Sequence, residues 1–287
     1  MPTLRQHTDA LASALQPLYD APEAQAIAGQ VIEHLLQLTP LQRRMQAQQE
    51  LPPTPAAALA KIQARLLRHE PLQYVLGVAH FDGLELEVTP ATLIPRPETE
   101  ELVALIAREQ QDRSSLRVLD IGTGSGCIPL ALSQRLPGAR FIAVDISAEA
   151  LAVAGRNAAR YQVSVDFQQV DILRSEPRLT GSVDVLVSNP PYVLENERPL
   201  MRTNVLAYEP DTALFVPNDD PLLFYRRIAE LGSSLLAEGG ALYFEINEQF
   251  GPATLALLRQ LGYAGATLLP DIFGKPRMVR AAWFRPA

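Results

Sequence analysis

The spacing of apolar residues changes twice along the chain. From residue 1 to about 75 it is helical. Leu11, Leu15 and Leu18 share one face, and Ile27, Val31, Leu35 and Leu38 share another. Asp20 before Ala21-Pro22-Glu23 reads as an N-cap followed by a first-turn proline. Thr39-Pro40 ends that helix and opens the next, and the "LPPTP" stretch from Leu51 to Pro55 reads as a loop. Thr54 and Pro55 then open a helix running to about Arg68. A small helical bundle is predicted. From Val78 the period becomes two, and "VAHFDGLELEVTP" alternates around Asp82-Gly83, a hairpin signal. The prolines of "TLIPRPETEELV" (Thr92 to Val103) fix an extended loop, with a helix from Glu98 that carries acids in its first turn.

Beyond Ser115 strands alternate with helices. Strands are predicted at 116–121, 140–145, 164–170, 183–188 and 241–247, and helices at about 127–136, 148–160 and 221–237. This alternation specifies parallel βαβ units in a doubly wound sheet. After a helix near 251–261, strands at about 263–269 and 277–284 lie too close together for a crossover helix. They are expected to pair antiparallel.

Composition narrows the class. Of 287 residues, 47% are hydrophobic and 20% charged, which suits a globular protein with a sizeable core. No apolar run approaches the ~18–20 residues that span a bilayer, so no membrane association is expected. The N-terminal stretch has no long apolar region of the signal-peptide kind, and a cytoplasmic location is expected. The single cysteine, Cys127, excludes an internal disulfide and a cysteine-based zinc cluster. His7, His34, His69 and His80 lack metal-ligand spacing, and no metal is expected. The net charge of −7 argues against broad duplex binding and suits a basic protein partner. A monomer is the default expectation.

"LDIGTGSGC" (Leu119 to Cys127) follows a strand and opens a helix. Gly122, Gly124 and Gly126 let the backbone bend tightly and approach a ligand closely. Asp145 ends the next strand, where an acid typically holds a ribose hydroxyl pair. A ligand-free βα turn, and a capping role for Asp145, are the rival readings, although Ser147 fills the cap better. The pattern is GxGxG preceded by Asp120, rather than the dinucleotide GxGxxG. It resembles the nucleoside-binding loop of S-adenosylmethionine-dependent methyltransferases. That resemblance implies a class I, Rossmann-like fold: an α/β domain whose mostly parallel sheet has an antiparallel last strand, which agrees with the predicted tail. It also implies that Asp171 bonds the adenine amino group and Ile172 borders the ring. A helix N-cap is the alternative for Asp171.

The stretch "VSNPPYV" (Val187 to Val193) puts Asn189 at the carboxyl end of a strand, the edge where α/β sheets bind ligands. A planar amide nitrogen is a poor nucleophile because its lone pair is delocalised. The Asn189 side-chain carbonyl can accept one of its N–H groups and the backbone carbonyl of Pro190 the other. Proline stiffness fixes both acceptors. Tyr192 can pack on the flat substrate group. Positioning, rather than a strong base, then supplies most of the rate. A proline-terminated strand with a buried tyrosine is the plainer reading. The tetrapeptide resembles the [D/N/S]-P-P-[Y/F/W] signature of amino-group methyltransferases that act on DNA adenine, rRNA guanine or protein glutamine.

Three further stretches narrow the substrate: "EPLQYVLG" (Glu70 to Gly77), "TLIPRPETEELV" and "YEPDTALF" (Tyr208 to Phe215). With the C-terminal "DIFGKPRMV" they resemble the peptide chain release factor glutamine methyltransferases, the HemK-type family, over nearly the whole chain. The resemblance implies N5-methylation of the glutamine in the Gly-Gly-Gln tripeptide of class 1 release factors, with S-adenosylmethionine as donor and S-adenosylhomocysteine as product. It implies that Asn189 and Pro190 bind the amide, with Pro191 beside them and Tyr192 stacked on it. The donor falls to Gly122, Thr123, Gly124, Ser125, Gly126, Asp145, Asp171, Ile172 and Asn189. It further implies a helical substrate-recognition domain at 1–75, a hairpin and linker at 76–100, and a methyltransferase domain at 101–287. Arg96 orders the linker or the mouth of the site, or pairs on the surface with Glu98 or Glu100. Glu209 ties down a loop, and Cys127 is a small buried helix residue. His69 stands where the family often has glycine. Rival functions are a ribosomal-protein glutamine methyltransferase, a nucleic-acid amino methyltransferase and a non-catalytic nucleoside-binding module. A nicotinamide dehydrogenase lacks any hydride-transfer site.

Overall fold

The structure is a computed structural model that describes residues 1–51 and 53–285. The chain divides into two compact units, Met1–Gly77 with Arg202–Tyr208, and Val78–Met201 with Glu209–Ala287. Residues 202–208, which the sequence assigns to the C-terminal domain, thus cluster with the N-terminal unit.

The first unit is helical. Helix α1 (Leu4–Leu15) starts in a capping box between Thr3 and Gln6. It stops at Leu15 because Pro17 has no N–H to continue the ladder, so Leu18 lies past its end. Helix α2 (Ala21–Leu36) is capped by Asp20, whose carboxylate accepts from Glu23 N at 2.8 Å. Ile27 and Val31 are buried, Leu35 is half-buried and Leu38 falls beyond the helix. Helix α3 (Pro40–Met45) has its own capping box at Thr39 and Gln42. Helix α4 (Pro53–Leu66) begins slightly before the expected start, and Pro52 of the expected loop lies outside the described residues. Leu4, Leu11, Leu15, Ala24, Ile27, Val31, Leu59 and Leu66 form the core of this unit.

Helix α5 (Leu72–Leu76) explains the "EPLQYVLG" stretch. Glu70 pairs with Arg65, and that guanidinium donates to Tyr74 O and Val75 O, each at 3.0 Å. Carbonyls that a five-residue helix leaves open are thereby satisfied. His69 has φ +64°, which glycine adopts without steric cost and histidine tolerates.

The second unit opens with the hairpin β1 (Val78–Phe81) and β2 (Leu84–Glu87) around Asp82-Gly83, followed by α6 (Pro97–Gln110). Then come β3 (Arg117–Ile121), α7 (Cys127–Arg135), β4 (Arg140–Asp145), α8 (Ala148–Tyr161), β5 (Val165–Gln169) and β6 (Val183–Ser188). The strands β7 (Val193–Leu194) and β8 (Phe215–Val216) form a two-residue parallel pair, too short to leave a period in the sequence. Helix α9 (Thr203–Tyr208) belongs to the first unit. The chain ends with α10 (Leu223–Leu235), β9 (Leu236–Glu245), α11 (Gly251–Gln260), β10 (Ala264–Pro270) and β11 (Pro276–Trp283). Strand β9 starts five residues before the predicted 241.

The main sheet has seven strands in the order β10-β11-β9-β6-β3-β4-β5. Strands β3, β4, β5, β6 and β9 run parallel, and β11 is antiparallel to both β9 and β10, as the tail predicts. Successive side chains face opposite layers. Val118, Phe141, Val185, Val187 and Tyr243 pack with α6 and α7, while Leu119, Ile142, Leu186, Leu242 and Phe244 pack with α10 and α11. The hairpin is part of this core through Phe81, Leu84 and Leu86. Asn157 of α8 ties it further, accepting from Glu87 N at 2.7 Å and donating to Glu87 O and to Ser125 O. The order reverses around β3, whose neighbours are β4 and β6. This switch point opens a crevice at the strands' carboxyl ends.

Gly232 of α10 packs against Tyr263, whose hydroxyl donates to Ala229 O at 2.7 Å. A Cβ at Gly232 would overlap that hydroxyl. Gly232→Ala is expected to destabilise the fold by about 1–3 kcal/mol through overpacking and loss of the hydrogen bond. Urea unfolding checks this, and unchanged stability would refute the packing account.

Candidate active site

Three strand ends build the site. After β3 the chain turns through Gly122, Gly124 and Gly126, with φ of +78°, +55° and +80°. Side chains resist this left-handed conformation, so the repeated glycine is a backbone requirement. Gly122 N and Thr123 N both donate to Val144 O, at 2.9 and 3.0 Å. Asp145, at the end of β4, accepts from Gly124 N at 2.8 Å through one oxygen and from Ser147 N at 2.9 Å through the other. Burial raises its pKa, and the Ser147, Gly124 and Ile146 amides oppose that rise. Ser147 caps α8 by accepting from Ala150 N, as expected. At the end of β6, Ser188 donates to Ile121 O at 2.6 Å, locking this strand end to that of β3. A Cβ on Gly122 would stand 3.9 Å from the backbone oxygen of Asn189, so the two motifs lie side by side.

A cavity of about 360 Å³ opens where they meet. Of the sequence-predicted residues, Gly122, Gly124, Asp145, Asp171, Ile172, Asn189, Pro190 and Pro191 line it. Thr123 and Ser125 are buried, and Gly126 packs against Ala154 beneath the loop. Tyr192 is half-buried behind the proline corner, its hydroxyl donating to Glu245 Oε1 at 3.0 Å. Asp171 caps a turn, not a helix: its Oδ1 accepts from Leu173 N at 3.1 Å, and no helix follows. Ala91 and Leu93 before α6, and Ala213, Phe215 and Phe224 further on, complete an apolar wall, with Leu93 drawn from the "TLIPRPETEELV" stretch and Ala213 and Phe215 from "YEPDTALF".

Arg96 does not pair with Glu98 or Glu100. It pairs at 2.6 Å with Glu209, whose second oxygen accepts from Ile94 N at 3.1 Å. Glu209 is buried, so this is an internal tie between the "IPRPETE" and "YEPDTALF" stretches. Thr99 of the same block is buried, accepts from Asn189 Nδ2 at 3.1 Å and donates to Glu245 Oε2 at 2.6 Å. Sequence reasoning missed Thr99 and Glu245. The available signal was an acid closing the apolar run of β9, "ALYFEI".

Asp120 is fully buried on the α6–α7 side of β3, and neither carboxylate oxygen has a hydrogen-bond partner. The Thr123 and Ser125 hydroxyls are likewise unpartnered. Burial pushes the Asp120 carboxyl up to about 7; the neighbouring Thr123 hydroxyl lowers it somewhat, though without hydrogen-bond alignment, and the Asp145 charge adds to the rise. Burial and the Asp120 charge push the Cys127 thiol up to about 12, which makes it an unreactive neighbour. Among the described residues no group of His, Cys, Asp or Glu could hold a metal, and no helix is long and apolar enough to cross a membrane.

Comparison with known proteins identifies the arrangement. Residues 99–208 match the methyltransferase small domain and residues 9–77 the PrmC N-terminal domain. A release factor glutamine methyltransferase of Bacteroides thetaiotaomicron is 44% identical over 93% of this chain and 96% of its own length. Another from Flavobacterium psychrophilum is 40% identical over 96% and 98%. The chain belongs to the release factor glutamine methyltransferase family. The fold is that of class I methyltransferases: a Pyrococcus furiosus methyltransferase superposes with a TM-score of 0.52 at 19% identity, over 79% of this chain and 100% of its own.

The residues present fit the family's donor, S-adenosylmethionine. Gly122 and Gly124 bring bare backbone to the cavity, Asp145 and Asp171 offer carboxylates, and Ile172 an apolar edge. The unpartnered Asp120 beneath the loop, once ionised above about pH 7, suits a cationic donor better than a pyrophosphate.

Asp120 makes stability depend on pH. Between about pH 4 and pH 7 the folded chain holds a proton that the unfolded chain has released, so the carboxyl's contribution declines as pH rises through that window. Donor-free protein is expected to lose stability relative to Asp120→Asn between about pH 5 and pH 8, by at most about 3 kcal/mol. Urea unfolding of both proteins at the two pH values measures the difference. Parallel pH dependence would contradict the assignment.

Proposed function

We propose that the protein transfers a methyl group from S-adenosylmethionine to the N5 amide nitrogen of the glutamine in the Gly-Gly-Gln tripeptide of class 1 peptide chain release factors. The observation that carries this reading is the fixed amide of Asn189 at the end of β6, beside the glycine loop and opening on the shared cavity. The relatives' name supplies the substrate class.

When bound, S-adenosylmethionine supplies an electrophilic methyl group on a sulfonium sulfur. The chain's own residues do the rest by placement. Gly122 and Gly124 hold the donor through backbone, Asp145 through its ribose and Asp171 with Ile172 through its adenine. Asn189 Oδ1 and Pro190 O each accept one N–H of the glutamine amide, which turns the nitrogen lone pair toward the methyl group. Pro190 and Pro191 keep those acceptors from swinging, and the half-buried ring of Tyr192 packs on the amide plane. Among the described residues the cavity wall contains no histidine, lysine or glutamate, and its two aspartates, Asp145 and Asp171, are assigned to the donor, which agrees with rate enhancement by orientation rather than by a strong base. Residues 1–75 recognise the release factor and residues 101–287 perform the chemistry. The enzyme works in the cytoplasm as a monomer and takes no nucleic acid.

Mass spectrometry of a class 1 release factor after incubation with enzyme and donor is expected to find one added methyl on the Gly-Gly-Gln glutamine. Transfer to rRNA, DNA or a ribosomal protein, with the release factor untouched, would overturn the substrate assignment. Asn189→Ala is expected to lower kcat about a hundredfold or more while donor affinity by calorimetry stays within a few-fold. Normal turnover in that variant would refute the role given to the amide.

A further inference from the structure

An asparagine amide can face a substrate with either its oxygen or its NH₂ group, and the two faces have nearly the same shape. Methylation as proposed above needs the oxygen. We propose that Thr99 and Glu245 are positioning residues that set the orientation of the Asn189 amide, acting as a one-way hydrogen-bond relay from β9 through α6 to the proline corner.

The direction follows from counting protons. Glu245 is buried, but the Thr99 and Tyr192 hydroxyls and the Arg277 charge favour its ionised form, and a carboxylate only accepts. Its Oε1 accepts the Tyr192 hydroxyl at 3.0 Å and its Oε2 the Thr99 hydroxyl at 2.6 Å. Thr99 has one proton, and it goes to Glu245. Toward Asn189, 3.1 Å away, Thr99 can then only accept. The group facing it must be NH₂, which leaves Oδ1 on the other side of the amide, where Asn189 borders the cavity. A flipped amide would set two acceptors against each other inside a buried site and forfeit the bond. That biases the orientation by roughly ten- to a hundredfold. Thr99 and Glu245 touch neither donor nor substrate in this account, and the cavity wall includes neither.

The test compares Thr99→Val, which keeps the shape and removes the hydroxyl, with Thr99→Ser, which keeps the hydroxyl. Purified release factor is the substrate, and the wild-type reaction is measured first. A wild-type enzyme that leaves the Gly-Gly-Gln glutamine unmodified overturns the functional reading itself, before any variant is compared. With that reaction established, Thr99→Val removes the bias, lets both orientations populate and frees the amide to turn, so kcat is expected to fall by about two- to tenfold while donor Kd stays within about twofold. Thr99→Ser is expected to recover most of the loss. In donor-free protein, nuclear magnetic resonance should show one Asn189 carboxamide proton protected from exchange, with the protection lost in Thr99→Val. Glu245→Gln guards against a Thr99→Val chain that fails to fold. It keeps the shape but can donate toward Thr99, so kcat should fall similarly. Wild-type kcat in either folded variant, or a Thr99→Ser enzyme as slow as Thr99→Val, overturns the relay.

Discussion

The bond from Gly124 N to the Asp145 carboxylate, 2.8 Å long, is the constraint on which the site's shape depends. It joins the loop after β3 to the end of β4. The other Asp145 oxygen takes Ser147 N and so starts α8 at the same point. Without this anion the glycine loop, held in left-handed conformations, would keep the two amides on Val144 O, the Gly126 N–Thr123 O bond and the Asn157 amide on Ser125 O, none of which fixes Gly124. Both bonds are charge-assisted, the stronger kind of hydrogen bond. They leave the outer face of the carboxylate toward the cavity, so the group that shapes the loop is also available to a ligand. Structural and binding roles for Asp145 are therefore one arrangement rather than competing explanations.

Three acids stand around the ends of β3, β4 and β9, Asp120 and Glu245 buried and Asp145 half-buried, and desolvation raises the pKa of each. Their solutions differ. Asp145 meets backbone amides, and Glu245 meets the Thr99 and Tyr192 hydroxyls with the Arg277 charge nearby. Asp120 meets no bonded partner. Desolvating a carboxylate costs several kcal/mol unless donors offset it. The two satisfied acids are thus rigid parts of the scaffold. The unsatisfied one is the acid that gains most when a cation enters the crevice, and it lies under the donor loop.

Much of this was legible in the sequence because it is local. The alternation of strands and helices, the antiparallel tail, the GxGxG turn and Asn189 at a strand end each depend on residues within about one element, where periodicity and proline or glycine chemistry act directly. Expectations failed where a side chain's partner is remote. The sequence reads Arg96 as ordering the linker or the mouth of the site but offers it only Glu98 and Glu100 as named partners, while Glu209 stands 113 residues away. Thr99 reaches Asn189 and Glu245 across 90 and 146 residues. Asp171 caps a turn because the three residues after it do not extend into a helix, a tertiary outcome that local propensity does not encode. The strand pair β7 and β8 is too short to carry a period.

The "IPRPETE" block shows why a motif can be specific without being catalytic. Prolines 95 and 97 bracket Arg96 and hold it extended, at φ −104° and ψ 147°, so that α6 begins only after it. From that fixed start, three positions each serve a buried group elsewhere. Ile94 N and Arg96 satisfy Glu209, and Thr99 connects Glu245 to Asn189. Loss of Arg96 would leave the buried Glu209 without its cation, and loss of the Thr99 hydroxyl would leave the Asn189 NH₂ and one Glu245 oxygen unpaired, which costs more than each hydrogen bond contributes when made. The spacing of the block is therefore set by where β6, β9 and the loop at Glu209 stand in the fold. Physically the block is the imprint of three distant acceptors and donors on seven residues, and its sixth, Thr99, bonds the Asn189 amide at the cavity edge.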